Sequence, residues 1–459
     1  MTSKFPYKIL LAILLLGTSC DKFVDVSLPN SQISTAAAFA DDGKATSSMR
    51  GIYASTQNVW ASSGPFSSGL STCLGISSDE LKRVSYDADM QTFFDNNLAA
   101  GSNGVNTIWS GIYNTLYQVN VLLENVVKAP GVSAPVKQQL LGEGHFLRAF
   151  CYFYLVNAFG DVPMPLTSDY RTNALLARTP VDKVYELMLS DLTNAQDNAG
   201  IAFTDAGTRI RANKWTATAL LARVQLYRKN WVEAEKQATA VIDAGPYKLD
   251  TLPNVFLLSS KEAILQFANA GTNVYTIEGS QLTGGITNPN YRFTTYLAKA
   301  FETGDQRLVN WTFKAANGDT VYYKYKASYT DPAAKSEAVV MFRLAEQYLI
   351  RAEARIRQHK LKDAIADMDM IRKRAGIPLL ADVNPAITEE NLLQAIYKER
   401  MTELFGEQGH RWFDVKRTGQ ADALYSVRKP QWRKEAILLP IPLSDRQKNP
   451  NLTQNQGYE

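Results

Sequence analysis

Two stretches of this chain that lie 130 residues apart share one spacing of small and apolar residues. Ala222 matches Ala352 and Ala234 matches Ala364, so the two alanines of each copy stand twelve residues apart with a polar turn between them. Apolar residues around them recur every three or four positions, which is typical of an amphipathic helix. Because alanines let two antiparallel helices approach closely, the spacing predicts a helical hairpin that occurs twice.

These hairpins are similar to degenerate tetratricopeptide repeats. The consensus tryptophan of the first helix is absent from both copies, where Thr218 and Tyr348 stand. A generic helical hairpin that occurs twice is the alternative interpretation. Both interpretations predict a mainly α fold, an α-solenoid scaffold with long loops and a few short strands.

Helical periodicity extends over most of the remaining chain. Apolar spacing predicts further helices over residues 106–127, 136–159, 181–199, 342–375 and 388–405. The helix that ends at Gly160 carries Phe146, Phe150 and Phe153, which we expect in the core. Residues 245–340 instead contain Gly-rich turn signals and a strand-like run at Val321-Tyr-Tyr-Lys-Tyr, which predict loops and short strands.

The N-terminus has the organisation of an export signal. Lys4 and Lys8 precede an apolar run, and Gly17-Thr-Ser-Cys20 follows it. The pattern predicts a lipoprotein signal peptide over residues 1–19 and lipid attachment at Cys20. The alternative is a plain secretory signal, since bacterial lipoboxes usually place leucine three residues before the cysteine and Gly17 stands there.

The rest of the chain predicts a lipidated tether over residues 20–35, an N-terminal helical part over 36–244 and a C-terminal part over 245–459, both lobes of one compact body. A formal charge of +4 argues against nucleic acid as a partner. Cys73 and Cys151 are more typical of buried thiols than of a disulfide, although their pairing stays open.

The residues give little indication of catalysis. The three histidines have no second ligand at metal spacing, and neither a phosphate-binding loop nor a Gly-x-Ser-x-Gly elbow is present. The paired acids Asp79-Glu80 and Glu389-Glu390 could serve glycoside hydrolysis in principle, although the second pair fits a helix N-terminus better. We therefore expect no catalytic residues, no metal and no cofactor.

Several long segments carry a family resemblance. They are Gly142-Glu-Gly-His-Phe-Leu-Arg-Ala-Phe-Cys-Tyr-Phe-Tyr, Arg343-Leu-Ala-Glu-Gln-Tyr-Leu-Ile-Arg-Ala-Glu-Ala, Lys398-Glu-Arg-Met-Thr-Glu-Leu-Phe-Gly-Glu-Gln-Gly-His-Arg-Trp-Phe-Asp and Asn449-Pro-Asn-Leu-Thr-Gln-Asn-Gln-Gly-Tyr. In this order they resemble the SusD/RagB family of Bacteroidetes outer-membrane lipoproteins. The resemblance runs from Cys20 to Tyr458.

The resemblance implies a lipid-anchored outer-membrane protein that faces the cell exterior. Such proteins bind oligosaccharides, in some cases peptides, and deliver them without catalysis to a TonB-dependent SusC-like transporter. The fold implied is SusD-like, with tetratricopeptide-like units and projecting loops. Two alternatives remain from the residues alone, a structural repeat scaffold without a small ligand and a glycoside hydrolase.

Ligand capture is expected from loops that combine aromatic rings with planar polar groups, since sugars present C–H faces and hydroxyls. The first such stretch, residues 60–94, offers Trp60, Asp79, Arg83, Tyr86 and Phe94. The second stretch, residues 288–325, offers Asn290, Tyr291, Arg292, Tyr296 and Trp311.

Other polar residues of the family segments are expected to be structural. We expect an ion-paired helix junction from His410, Arg411, Trp412 and Asp414 together with Glu399, Arg400 and Glu403. Trp109 and Asn120 lie on one predicted helix and are interpreted as packing residues.

Overall fold

Helices dominate the structure, as the apolar periodicity predicts. The computed structural model describes residues 34–57, 64–205, 207–269, 275–284, 289–327 and 336–458. The first ten helices are α1 Thr35–Ala38, α2 Asp42–Thr56, α3 Leu70–Ser77, α4 Ala88–Asp95, α5 Asn103–Lys128, α6 Ala134–Phe159, α7 Tyr170–Asn173, α8 Val181–Asn198, α9 Lys214–Tyr227 and α10 Trp231–Ile242. The others are α11 Ile277–Thr283, α12 Thr295–Ala300, α13 Gln306–Trp311, α14 Leu344–Ile356, α15 Leu361–Ala375, α16 Leu380–Val383, α17 Glu389–Leu404, α18 His410–Arg417, α19 Ala421–Arg428 and α20 Leu443–Lys448.

Short strands pair in twos beside the helices. Their bounds are β1 Leu81–Arg83, β2 Ala263–Phe267, β3 Tyr291–Phe293, β4 Thr312–Lys314, β5 Thr320–Tyr322 and β6 Val339–Arg343. The antiparallel pairs are β1 with β3, β2 with β6 and β4 with β5. The strand-like run that begins at Val321 thus contributes to β5, and the mixed character predicted for residues 245–340 is confirmed.

The two predicted hairpins form, and they pack against each other. The first is α9 with α10, and the second is α14 with α15. Ala222, Ala234 and Ala238 of the first hairpin share one buried cluster with Ile350 and Ala354 of the second. The chain leaves the solenoid after Ile242 and returns at Leu344, yet α10 and α14 are direct neighbours.

Local signals fix where the long helices begin and end. Asn213 caps α9 through a reciprocal pair of hydrogen bonds with Thr216. Helix α6 ends at Gly160, whose φ of +74° suits glycine, and this confirms the predicted end. Thr388 accepts a hydrogen bond from the Asn391 N–H, so the neighbouring Glu389-Glu390 pair lies in the first turn of α17.

A continuous aromatic core joins both halves of the chain. Phe146, Phe150 and Phe153 are buried, as predicted. The Phe150 ring lies 5.8 Å from that of Phe267 and 5.9 Å from that of Phe342, so α6 packs directly on β2 and β6. Cys73 and Cys151 are both buried free thiols in this core.

Buried ionic groups connect residues 262–343 to the second hairpin. We call them the Arg343 cluster: the cations are Arg307, Lys324, Arg343, Arg372 and Arg374, and the acids are Glu262, Glu302, Asp305, Glu399, Glu403 and Glu407. Arg343 donates to Glu262 at 3.0 Å, to Glu403 at 2.5 Å and to Glu407 at 2.8 Å.

Glu403 lies at the centre of this cluster. Burial by itself raises the pKa of a carboxyl group, but the guanidinium groups of Arg374, Arg343 and Arg307 hold the pKa of Glu403 far below its usual range. The carboxylate is therefore ionised at neutral pH, and three guanidinium groups stabilise its charge.

The ion pairing expected at the helix junction next to this cluster is confirmed, although some of the partners differ from those expected. Arg400 donates to Asp414 at 2.7 Å, and Arg417 contacts both Asp414 and Glu353. Arg411, however, pairs with Asp79 rather than with the acids of α17.

We expect Arg343→Met to lower the free energy of unfolding by about 3–5 kcal/mol, because the substitution leaves buried carboxylates without their cation. Equilibrium urea unfolding measures the change. The matched control is Arg171→Met, which removes an exposed arginine whose pair with Asp169 lies in solvent, and should cost under about 1 kcal/mol. A loss below about 1 kcal/mol in Arg343→Met would contradict the assigned role.

Candidate functional site

The two loop stretches expected to bind ligand meet at the β1–β3 pair. Arg83 of the first stretch lies directly opposite Tyr291 of the second in the antiparallel register. Residues opposite each other in such a pair are close neighbours on one face. The structure thus places side chains that are 208 positions apart in the sequence at one cavity.

This cavity, the Arg83–Tyr291 cleft, has a volume of about 270 Å³. Its lining is mostly polar and comes from four helices, both strands and the π-helical turn Pro65–Gly69. The residues are Ser68, Gly69, Thr72, Cys73, Arg83, Asp87, Asp89, Met90, Asn103, Gly104, Thr107, Gln281 and Tyr291.

Arg83 is the principal charged donor of the cleft. Its Nη1 donates to the Tyr291 hydroxyl at 3.2 Å, and its Nη2 lies 3.7 Å from the Asp87 carboxylate. Its Nε is enclosed and has no hydrogen-bond partner among the described residues. Burial raises the pKa of Tyr291, so this hydroxyl accepts the arginine hydrogen and keeps its own hydrogen for donation.

Two aspartates hold the helix termini around the cleft. Asp87 caps α4 by accepting the Met90 N–H at 3.0 Å, and Asp89 accepts the Gly104 N–H of α5 at 2.8 Å. Gly104 is required there because a Cβ would lie 2.6 Å from the Phe93 ring. The helices that carry the polar lining are therefore fixed before any ligand arrives.

Two predicted residues support the cleft from outside its lining. Asn290 donates its side-chain amide to the Gln281 carbonyl and accepts the Val84 N–H on its own carbonyl, so it holds the β1–β3 connection. Arg292 pairs with Asp319 at 2.8 Å at the surface. Tyr86 follows β1 with its side chain in solvent, at 82% exposure, next to the cleft residue Asp87.

Phe94 and Tyr296 lie away from the cleft lining. Phe94 is half-buried beneath the ammonium groups of Lys82 and Lys429. The Tyr296 ring stacks on the Arg428 guanidinium at 4.3 Å and borders a separate surface cavity. Trp60, like the lipidation residue Cys20, lies outside the described residues.

Two predicted ligand residues are core residues, which corrects the sequence-based expectation. Trp311 is fully buried, donates its indole N–H to the Leu252 carbonyl at 2.9 Å and lies 4.7 Å from the Lys324 ammonium group. Asp79 is buried between Arg411 and Arg428. Their aromatic and acidic character is visible in the sequence, but the cations that enclose them come from other parts of the chain.

Several cleft residues were not predicted, among them Asp87, Asp89 and Thr107. Asp87 comes directly before an amphipathic stretch, so its helix-capping position was a signal available in the sequence. The described residues contain no group of three or more His, Cys, Asp or Glu side chains arranged to hold a metal. Within the same ranges no helix combines the length and apolar character needed to cross a bilayer.

Comparison with known proteins assigns the family. A family model described as "SusD family" matches residues 265–458, and a second, described as "Starch-binding associating with outer membrane", matches residues 22–226. The chain belongs to the SusD family. Its fold and its mainly α, SusD-like architecture are those predicted from the sequence.

Relatives and solved structures agree with this assignment. A SusD-like protein P25 from Formosa agariphila is 25% identical over 425 residues, covering 77% of this chain and 80% of the relative. A SusD superfamily structure from Bacteroides vulgatus has a TM-score of 0.79 at 20% identity and covers 92% of this chain and 100% of its own. A structure described as a laminarin-binding SusD-like protein has a TM-score of 0.75 at 23% identity, with coverage of 91% and 100%.

The buried Asp79-Glu80 pair predicts that the stability of the protein depends on pH. Burial, reinforced by the adjacent Asp79 carboxylate, raises the pKa of Glu80 to about 8. Between about pH 4.5 and 8 the folded state therefore keeps a proton that the unfolded chain releases, so this group's contribution to stability falls as the pH rises through that window.

Glu80→Gln removes this titration. We expect the stability of the variant relative to the wild type to rise by about 3 kcal/mol between pH 5 and pH 8, as measured by urea unfolding at both values. Glu186→Gln, at an exposed acid paired with Lys183, is the control and should show no such change. An equal difference between wild type and Glu80→Gln at the two pH values would show that Glu80 is ionised in the fold.

Proposed function

We propose that this SusD-family chain is a non-catalytic, lipid-anchored outer-membrane protein that binds oligosaccharides and delivers them to a TonB-dependent SusC-like transporter. The observation that carries the proposal is the Arg83–Tyr291 cleft, where two distant loop stretches of a rigid helical scaffold meet. Peptide cargo is the alternative ligand class. Lipid on Cys20 would keep the protein beside the transporter.

The groups in the cleft suit sugar hydroxyls. Arg83 offers a partly exposed guanidinium group, Tyr291 offers a hydroxyl hydrogen, and Gln281 and Asn103 supply amide groups at the same cavity. The exposed ring of Tyr86 stands one residue from Asp87 and can pack on the C–H face of a sugar. Rings and planar polar groups together are the usual means of glycan recognition.

The comparisons support the ligand class. One matching family model is described as starch-binding, and one structural neighbour is described as laminarin-binding. Starch and laminarin are both neutral glucans. We therefore choose maltohexaose and laminarihexaose as the first probes, with a peptide panel for the alternative cargo.

The acids of the Asp79-Glu80 pair and those of the cleft support a binding role rather than hydrolysis. Asp79 and Glu80, the pair considered for glycoside hydrolysis, are buried, and Asp79 is held by two arginines. Asp87 and Asp89 in the cleft accept backbone N–H groups at helix termini. A hydrolase needs one carboxylic acid and one carboxylate on either side of the scissile bond. Asp79 and Glu80 have almost no exposed surface to offer a substrate, and Asp87 and Asp89 are engaged at helix termini.

Arg83→Ala is expected to weaken binding of the hexaose that the wild type prefers by about tenfold or more, since a hydrogen bond from a charged donor contributes about 1.5–3 kcal/mol. Isothermal titration calorimetry on the soluble chain without residues 1–20 gives the affinity. Arg171→Ala, an exposed arginine on α7, is the control and should bind like the wild type. Unchanged affinity in Arg83→Ala would remove the cleft from the proposal.

The proposed association with a transporter and the proposed lipid anchor are tested separately. Tagged full-length chain purified in mild detergent from the membranes of its native host should carry a TonB-dependent barrel with it. Cys20→Ser should leave the protein out of the detergent phase in Triton X-114 partitioning and reduce the recovered barrel, because lipid chains supply the membrane affinity. Recovery without any barrel would refute the partner, and detergent partitioning unchanged by Cys20→Ser would refute the anchor.

A further inference from the structure

Helix α5 borders two cavities at different positions along its length. Gly104 and Thr107 line the Arg83–Tyr291 cleft. Tyr113, Tyr117 and Asn120 follow roughly two to four turns later and line a different cavity. At 3.6 residues per turn the residues that line the two cavities centre about a third of a turn apart around the helix, so the cavities differ both in direction and in position along α5.

We call the second cavity the Tyr117–Tyr170 cleft. It has a volume of about 430 Å³, larger than the first, and lies within the range of roughly 300–1,000 Å³ typical of small-ligand sites. Helix α5 forms one wall, the segment 163–174 forms the second, and α20 with the following turn forms the third. Trp109 lies at its base, nearly buried.

Side chains fix the second wall firmly to α5 and α6. The Tyr113 hydroxyl donates to the Pro163 carbonyl at 2.7 Å, and the Tyr152 hydroxyl donates to the Pro165 carbonyl at 2.9 Å. The Glu124 carboxylate accepts the Ser168 N–H at 2.8 Å. Because these bonds hold the wall without a ligand, binding would require little ordering of the chain.

Asn120 leaves one buried acceptor at this cleft. Its Nδ2 donates to the carbonyls of Pro165 and Thr167, at 3.0 and 3.3 Å, so both amide hydrogens are used. Its Oδ1 is enclosed and has no partner among the described residues, and the residue as a whole is only 1% exposed. A buried oxygen without a partner is unfavourable, and a ligand hydroxyl that donates to it would satisfy it.

Two tyrosine rings stand in solvent at the rim. Tyr117 is 54% exposed and Tyr170 is 76% exposed, although both line the cavity. The charged residues of the lining are one acid, Asp445, and one base, Lys448, so the cleft has no net charge. Aromatic faces, a hydroxyl acceptor and neutrality together match an uncharged sugar rather than a uronate, a sulfated sugar or a charged peptide.

We propose that the Tyr117–Tyr170 cleft is a second carbohydrate site, which takes a neutral sugar ring between the tyrosines with one hydroxyl donated to Asn120 Oδ1. The ligand class rests on the proposed function, but the residues are independent of the Arg83–Tyr291 cleft. The protein then holds two points of a glycan, or two chains, at two positions along α5.

The test uses the soluble chain without residues 1–20 and four probes: maltohexaose, laminarihexaose, xylohexaose and mannohexaose. Three proteins are compared with the wild type by isothermal titration calorimetry and saturation-transfer NMR. They are the double variant Tyr117→Ala/Tyr170→Ala, the first-cleft variant Arg83→Ala, and the control Val427→Ala, which truncates another exposed side chain. Exposed tyrosines tolerate truncation, so the double variant should keep the wild-type unfolding midpoint.

We expect one binding event to weaken at least tenfold in the double variant and to persist in Arg83→Ala and Val427→Ala. A crystal soaked with the bound hexaose should then place a sugar hydroxyl about 2.7–2.8 Å from Asn120 Oδ1. Binding that weakens only in Arg83→Ala would overturn the second site and leave the proposed function intact. The absence of binding by every probe to the wild type would overturn both.

Discussion

Glu403 lies in the protein interior between Arg307, Arg343 and Arg374, which come from three separate parts of the chain. An ionised carboxylate at such a place is stable only with its cations beside it, because each unpaired buried charge costs several kcal/mol. The pairing therefore ties α13, the end of β6 and α15 to α17 in one arrangement. The described part of residues 243–343, which carries one side of the Arg83–Tyr291 cleft, is anchored by this contact together with the aromatic core.

The scaffold could be predicted because its determinants are local. The alanine spacing at Ala222 and Ala234, the apolar stripe that includes Phe150 and the glycine at position 160 each act within a few turns of helix. The order of packing could not be obtained in this way. That α10 lies beside α14 depends on a contact across residues 243–343, and no short-range pattern contains that information.

The same distinction between local and distant determinants applies to the site residues. The two loop stretches combine polar and aromatic residues, and Arg83 and Tyr291 do meet. Trp311 and Asp79 have the same composition signals but are enclosed by cations from other parts of the chain. Asn120 shows the converse: it packs as expected, yet its amide geometry leaves one oxygen unused, which only the three-dimensional contacts can reveal.

The segment that connects the two hairpins, residues 243–343, affects how proteins with this scaffold diversify. The entropy of closing a flexible loop grows only slowly with its length, by about 0.6 kcal/mol for each doubling. Since α10 and α14 contact each other directly, surface loops of the intervening segment that lie outside the Arg343 cluster and the aromatic core can lengthen or shorten at small energetic cost to the solenoid. Such a scaffold can therefore change the groups on its surface loops while its helices keep their arrangement, and a SusD superfamily structure retains the fold at 20% identity.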